Sequence, residues 1–141
     1  MITRNWALAL ACGTVVLAAP LLAEEQAVGA SLFGENEVDH EGAGEDAGGD
    51  FSGFVDTSKG TLCYYLETYG LENVTAAHLH KGDKDENGPP VVTLKANEDD
   101  EVCAQVEADV LMDIARDEEG YYVNVHTEAH PQGAVRGQLG S

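Results

Sequence analysis

The brevity of its apolar segments constrains this chain more than any other feature. Phe51 to Thr57, Thr61 to Thr68, Val74 to Lys81, Val91 to Lys95, Glu101 to Glu107, Tyr121 to Thr127 and Ala134 to Leu139 each run for only a few residues. Gly, Pro, Asn, Asp or Ser soon interrupts every one of them. Short runs of alternating character with frequent turn signals read as antiparallel strands. Val28 to Val38 reads as a first strand or strand pair, His40 to Asp50 as a flexible acidic loop, and Ser58-Lys59-Gly60 as a hairpin turn. One helix interrupts the pattern. Asp109 can cap it, Val110, Leu111 and Ile114 share its apolar face, and Gly120 stops it. The expected fold is an all-β antiparallel sandwich or barrel with one short helix.

Residues 1–23 are excluded from that fold. Arg4, the apolar run Trp6 to Ala19, and Pro20-Leu21-Leu22-Ala23 ahead of Glu24 have the layout of a secretory signal. The apolar run is too short for a trusted membrane span, so no membrane insertion is expected once the signal is removed. Cys12 is discarded with it. Residues 24–141 then suit a single domain. The acidic residues number 26 against 7 basic ones, for a net charge of −19, and all of the acids lie beyond the signal. Such a surface repels nucleic acid and anionic lipid, attracts cations or a basic partner, and aids solubility.

Two cysteines remain, Cys63 and Cys103, and in an exported chain they read as one disulfide. Each lies in an alternating segment, so the bond ties two strands and contributes ~3–5 kcal/mol. The competing reading is a soft copper-ligand pair. Localisation is expected to be periplasmic or secreted.

Histidines carry the sharpest chemical signal. His78 and His80 are two apart on one strand and therefore share a face, with Val74 and Ala76, opposite Thr75, Ala77 and Leu79. On a later strand, His126 shares a face with Tyr122 and Asn124, opposite the stripe Tyr121, Val123 and Val125. If the two strands are neighbours, three imidazoles meet. Such a set suits zinc, with Zn–N distances of ~2.0–2.1 Å, or copper, which N-rich sites bind more tightly in the divalent series. The bland reading keeps each histidine for a backbone hydrogen bond or for packing.

Other candidates carry less. His130 is the candidate fourth ligand, and before Pro131 it also reads as an exposed turn residue. His40 reads as loop. Met112 could ligate Cu(I), and its helix suggests core filling. Asp83, Asp85, Asn87 and Gly88 spell the opening of a calcium loop, but Leu94 stands where the bidentate glutamate belongs. Asn73-Val74-Thr75 is a formal glycosylation sequon on a strand. No nucleophile elbow, phosphate loop or dinucleotide fingerprint appears, which weighs against an enzyme.

A family resemblance joins these parts. Gly34-Glu35-Asn36-Glu37-Val38, then Thr75-Ala76-Ala77-His78-Leu79-His80, Glu86-Asn87-Gly88-Pro89 leading to Val91-Val92, Gly120 to Thr127, and Gly133-Ala134-Val135-Arg136-Gly137-Gln138-Leu139 resemble the CHRD domain, named after chordin. The resemblance implies an immunoglobulin-like or copper-zinc superoxide-dismutase-like sandwich and little about activity. Asp39 and His40 stand where many relatives have prolines, and the turn after His80 is unusually acidic. Growth-factor binding by chordin is not carried over. The His-x-His strand is similar to that of copper-zinc superoxide dismutases, without a bridging-histidine region. The expectation is an exported domain that holds copper or zinc through His78, His80 and His126 for sequestration, delivery or sensing. A metal-free module engaging another exported protein comes second, and a dismutase-like enzyme third.

Overall fold

The computed structural model describes residues 25–140; the signal reading of residues 1–23, with Cys12, lies outside them. The chain order is β1 (Glu25–Phe33), β2 (Gly48–Asp56), β3 (Thr61–Tyr69), β4 (Val74–Lys81), β5 (Pro90–Leu94), β6 (Val102–Gln105), α1 (Ala108–Arg116), β7 (Tyr121–Thr127) and β8 (Val135–Gln138). All pairings are antiparallel, in the order β5-β4-β7-β8-β1-β2-β3-β6. One sheet of eight strands therefore makes both walls of an all-β sandwich, joined through β8 and β1. Beyond β5 the chain turns back onto the other wall. Asn97 N–H donates to Leu66 O (2.8 Å), and Lys95 N–H donates to the Tyr64 hydroxyl (2.8 Å), so the sheet nearly closes.

The alternation that predicted the strands also builds the core. Val28, Leu32, Phe51, Val55, Leu62, Tyr64, Leu66, Ala77, Leu79, Val92, Leu94, Val123, Val125 and Val135 are buried on inward faces. Strand β2 follows β1 in register from Glu25↔Asp56 to Phe33↔Gly48. Asp56 fixes the β2–β3 turn. Its Oδ1 accepts from Ser58 N–H (3.0 Å), the Ser58 hydroxyl (2.6 Å) and Lys59 N–H (2.9 Å), and Gly60 completes the turn with φ +71°.

Five sequence expectations are corrected. The first segment is a single strand followed by a 3-10 turn at Gly34–Asn36, because Phe33 already pairs with Gly48 and Arg136. The acidic loop ends early, since Gly48–Asp50 pair with β1 and β3. The helix starts at Ala108 with Glu107 at its N-cap, and Asp109 sits in the first turn, its Oδ1 accepting from Val110 N–H. Met112 is 52% exposed and fills no core, because Leu111 and Ile114 take the inward face at 100° per residue. The helix also stops at Arg116, ahead of a 3-10 turn at Glu118–Gly120.

Candidate metal centre

Strands β4 and β7 are neighbours, which brings the histidines together. The register runs Ala76↔His126, His78↔Asn124 and His80↔Tyr122, so all these side chains project from the outward face. Ring centroids of His78 lie 5.6 Å from His80 and 5.3 Å from His126, and those of His80 and His126 lie 6.4 Å apart. One ring nitrogen from each falls within 4.8 Å of the others. A tetrahedral ion with ~2.0–2.1 Å bonds needs nitrogens ~3.3 Å apart, a spacing that falls inside this limit.

Backbone carbonyls set the tautomers of two of these rings. His80 Nδ1–H donates to Gly88 O (2.8 Å), and His126 Nδ1–H donates to Pro131 O (3.2 Å). Each neutral ring therefore bears its lone pair on Nε2. Both Nε2 atoms are buried and have no hydrogen-bond partner. A buried acceptor left bare costs free energy, so two of them on rings of one cluster are chemically informative. Metal-binding histidines characteristically donate their second nitrogen to a carbonyl in this way. Burial, and then the neighbouring imidazoles, lower the affinity of His80 and His126 for protons below the ordinary 6.5, opposed by the carbonyl hydrogen bonds. Both rings are neutral at pH 7, the form that coordinates.

The CHRD domain family model matches residues 28–139. The chain belongs to the CHRD domain family. No curated protein and no solved structure matches it significantly.

Around the histidines this CHRD domain has an outer shell that sequence reasoning left without a role. Arg136 on β8 is 2% exposed, and its guanidinium lies 3.4 Å from the Tyr122 ring centroid. It donates to Asp83 O (2.9 Å), Glu86 O (2.8 Å) and Asn87 Oδ1 (3.2 Å), so it holds the β4–β5 loop. That loop delivers Gly88. The Tyr122 hydroxyl accepts from Gly88 N–H (3.0 Å), and the Tyr122 ring stacks on His80 at 4.8 Å and 12°. Gly88 has no Cβ because one would collide with Lys81 O. Arg136 and Tyr122 together thus hold the loop whose Gly88 carbonyl orients His80.

Glu37 forms the far side of this shell. Its side chain is 2% exposed, Oε1 accepts from Asn124 Nδ2 (2.7 Å), and Oε2 lies 3.6 Å from His40 Nε2. Burial raises its carboxyl above the ordinary 4.5, against the lowering effects of Asn124, His40 and Arg136. Gly133, at φ +145°, leaves the space this carboxylate occupies. Arg136 had one visible signal: a lone cation inside a four-residue strand of a strongly acidic chain.

The remaining candidates separate. His130 stands apart from the three-ring cluster, and its backbone closes the β7–β8 turn through Thr127. His40 sits beside Glu37. The calcium-loop residues Asp83, Asp85 and Asn87 are exposed; Asn87 Oδ1 is engaged by Arg136, and Pro89 O, the seventh position, accepts from Lys81 N–H. Cys63 and Cys103 are directly paired between β3 and β6 and form a disulfide.

Proposed function

We propose that this CHRD domain binds a divalent transition ion, copper in preference to zinc, through Nε2 of His80, Nε2 of His126 and a ring nitrogen of His78. The observation that carries the reading is the pair of buried, unpartnered Nε2 atoms whose rings are tied down by backbone carbonyls. Three imidazole nitrogen donors with no carboxylate among them favour Cu(II) over Zn(II) in the divalent order. The acidic surface raises the local concentration of cations. Half-buried rings on an outward sheet face, outside the hydrophobic core, suit sequestration or delivery better than permanent structural use. The disulfide and the family accord with an exported protein, and the proposed compartment is periplasmic or extracellular.

The test is metal analysis of protein purified without chelator, together with calorimetric titration of Cu(II) and Zn(II). Wild type takes up one ion per chain with Cu(II) bound more tightly, and the His78→Ala/His126→Ala variant loses it. Equal metal uptake by both proteins removes the reading. A second reading, an interaction module for another exported protein, rests on the exposed aromatics Phe54 (50%) and Tyr65 (45%) of the opposite wall. Superoxide turnover that depends on bound copper, absent from the double variant, would instead bring forward the dismutase-like reading.

A further inference from the structure

Cys63 and Cys103 hold chemistry that the histidine site does not use. Their strands set them directly opposite each other, with Cα atoms 4.0 Å apart. Glu101, just before β6, brings Oε2 to 3.9 Å from Cys103 Sγ. One ligand atom from each of the three residues falls within 4.8 Å of the others. Cys103 and Glu101 are exposed and Cys63 is half-buried, so an attacking thiolate reaches the bond without opening the core.

The strands do not depend on the sulfurs for their register. Four residue pairs, from Thr61↔Gln105 to Tyr64↔Val102, join β3 to β6, and Val106 N–H donates to Gly60 O (3.0 Å). Val102 and Ala104 also pack against the core. Cleaving the bond therefore leaves two thiols facing each other beside a carboxylate.

We propose that reduction of this disulfide by a dithiol creates a second metal site, Cys63 Sγ, Cys103 Sγ and the Glu101 carboxylate, for a thiophilic d10 ion such as Cu(I) or Zn(II). The dithiol gives two electrons and two protons and becomes a disulfide, while the Cys63–Cys103 bond breaks and each sulfur gains a hydrogen. Metal binding then forms two metal–sulfur bonds and releases those two protons to solvent. Zn–S bonds of ~2.3 Å place the sulfurs ~3.8 Å apart, within reach of two directly paired residues. Thiolates select Cu(I) and Zn(II) over harder ions. The exposed run Glu98, Asp99 and Asp100 adds negative potential beside the site. The site lies on the wall opposite β4 and β7 and is independent of the histidines.

Cd(II) titration of the His78→Ala/His126→Ala variant tests this, with the thiolate-to-cadmium ultraviolet band as readout. After reduction by a dithiol and its removal without air, the protein binds one Cd(II) per chain and develops the band; the oxidised protein does neither. Cys63→Ser abolishes the band, and Glu101→Gln weakens binding about tenfold. Absence of the band in reduced protein that keeps its β-sheet circular dichroism overturns the proposal. So does loss of that β-sheet signal on reduction, or unchanged affinity in Glu101→Gln.

Discussion

Replacing Arg136 with Met removes the guanidinium while retaining an unbranched apolar stem. The guanidinium makes three hydrogen bonds, to Asp83 O, Glu86 O and Asn87 Oδ1, and sits 3.4 Å over the Tyr122 ring. Hydrogen bonds to a charged group contribute ~1.5–3 kcal/mol each, and a desolvated cation–π contact ~2 kcal/mol. Against these stands the cost of burying a guanidinium, several kcal/mol, which the variant no longer bears. The freed acceptors lie on an exposed loop and regain water once it lifts, so they carry little residual penalty. The balance is a loss of ~2–3 kcal/mol, read by urea unfolding with an unchanged m-value. Lifting the loop also withdraws Gly88 O from His80, so amide exchange at Gly88 accelerates and Cu(II) affinity falls about tenfold. A stability change within ~0.5 kcal/mol together with unaltered Gly88 exchange would refute the clamp.

Three further outcomes follow from the same contacts. Tyr122→Phe deletes the hydroxyl that accepts from Gly88 N–H, and should cost ~1 kcal/mol while weakening Cu(II) binding; unchanged affinity by calorimetry speaks against orientation of His80 through Gly88. The Cys63→Ser/Cys103→Ser variant opens a loop closed over 40 residues and should lose ~4 kcal/mol in urea unfolding, with a loss below ~1 kcal/mol contradicting this. Acidification has a defined sign. His80 and His126 take up protons below 6.5 in the fold but near 6.5 when unfolded, so the unfolded chain binds protons first as pH falls, and metal-free stability declines below about 6.5. The His80→Gln/His126→Gln variant should show a shallower decline over that window in pH-dependent melting; an identical slope counts against burial of neutral rings.

The elements that were legible in the sequence share a physical cause, and so do those that were not. Strands β4 and β7 lie where period-two alternation placed them, because Ala77, Leu79, Val123 and Val125 each need the same buried face, and a one-residue slip would expose all four. That alternation also put His78, His80 and His126 outward. It could not say that β4 and β7 are neighbours, since β5, β6 and α1 separate them along the chain. Nor could it show that loops 34–47 and 82–89 cover this face through Glu37 and Gly88. Those loops also explain why Tyr122 and Asn124, outward by pattern, are buried at 3% exposure each. Met112 misled for a related reason: a three-residue apolar run on a helix always leaves one member off the inward face. Arg136 is the deepest case. A cation flanked by Val135 and Gly137 has no sequence-local partner, and its partners lie about 50 residues away in a loop whose acidic letters suggested calcium. Two backbone carbonyls of that loop and one oxygen that looked ready for a metal ion, Asn87 Oδ1, hold a guanidinium, and that guanidinium holds the loop whose carbonyl orients His80. In this domain the loop's own cation partner and the proposed metal ligand are two ends of one hydrogen-bonded chain, so a substitution at either end should be felt at the other.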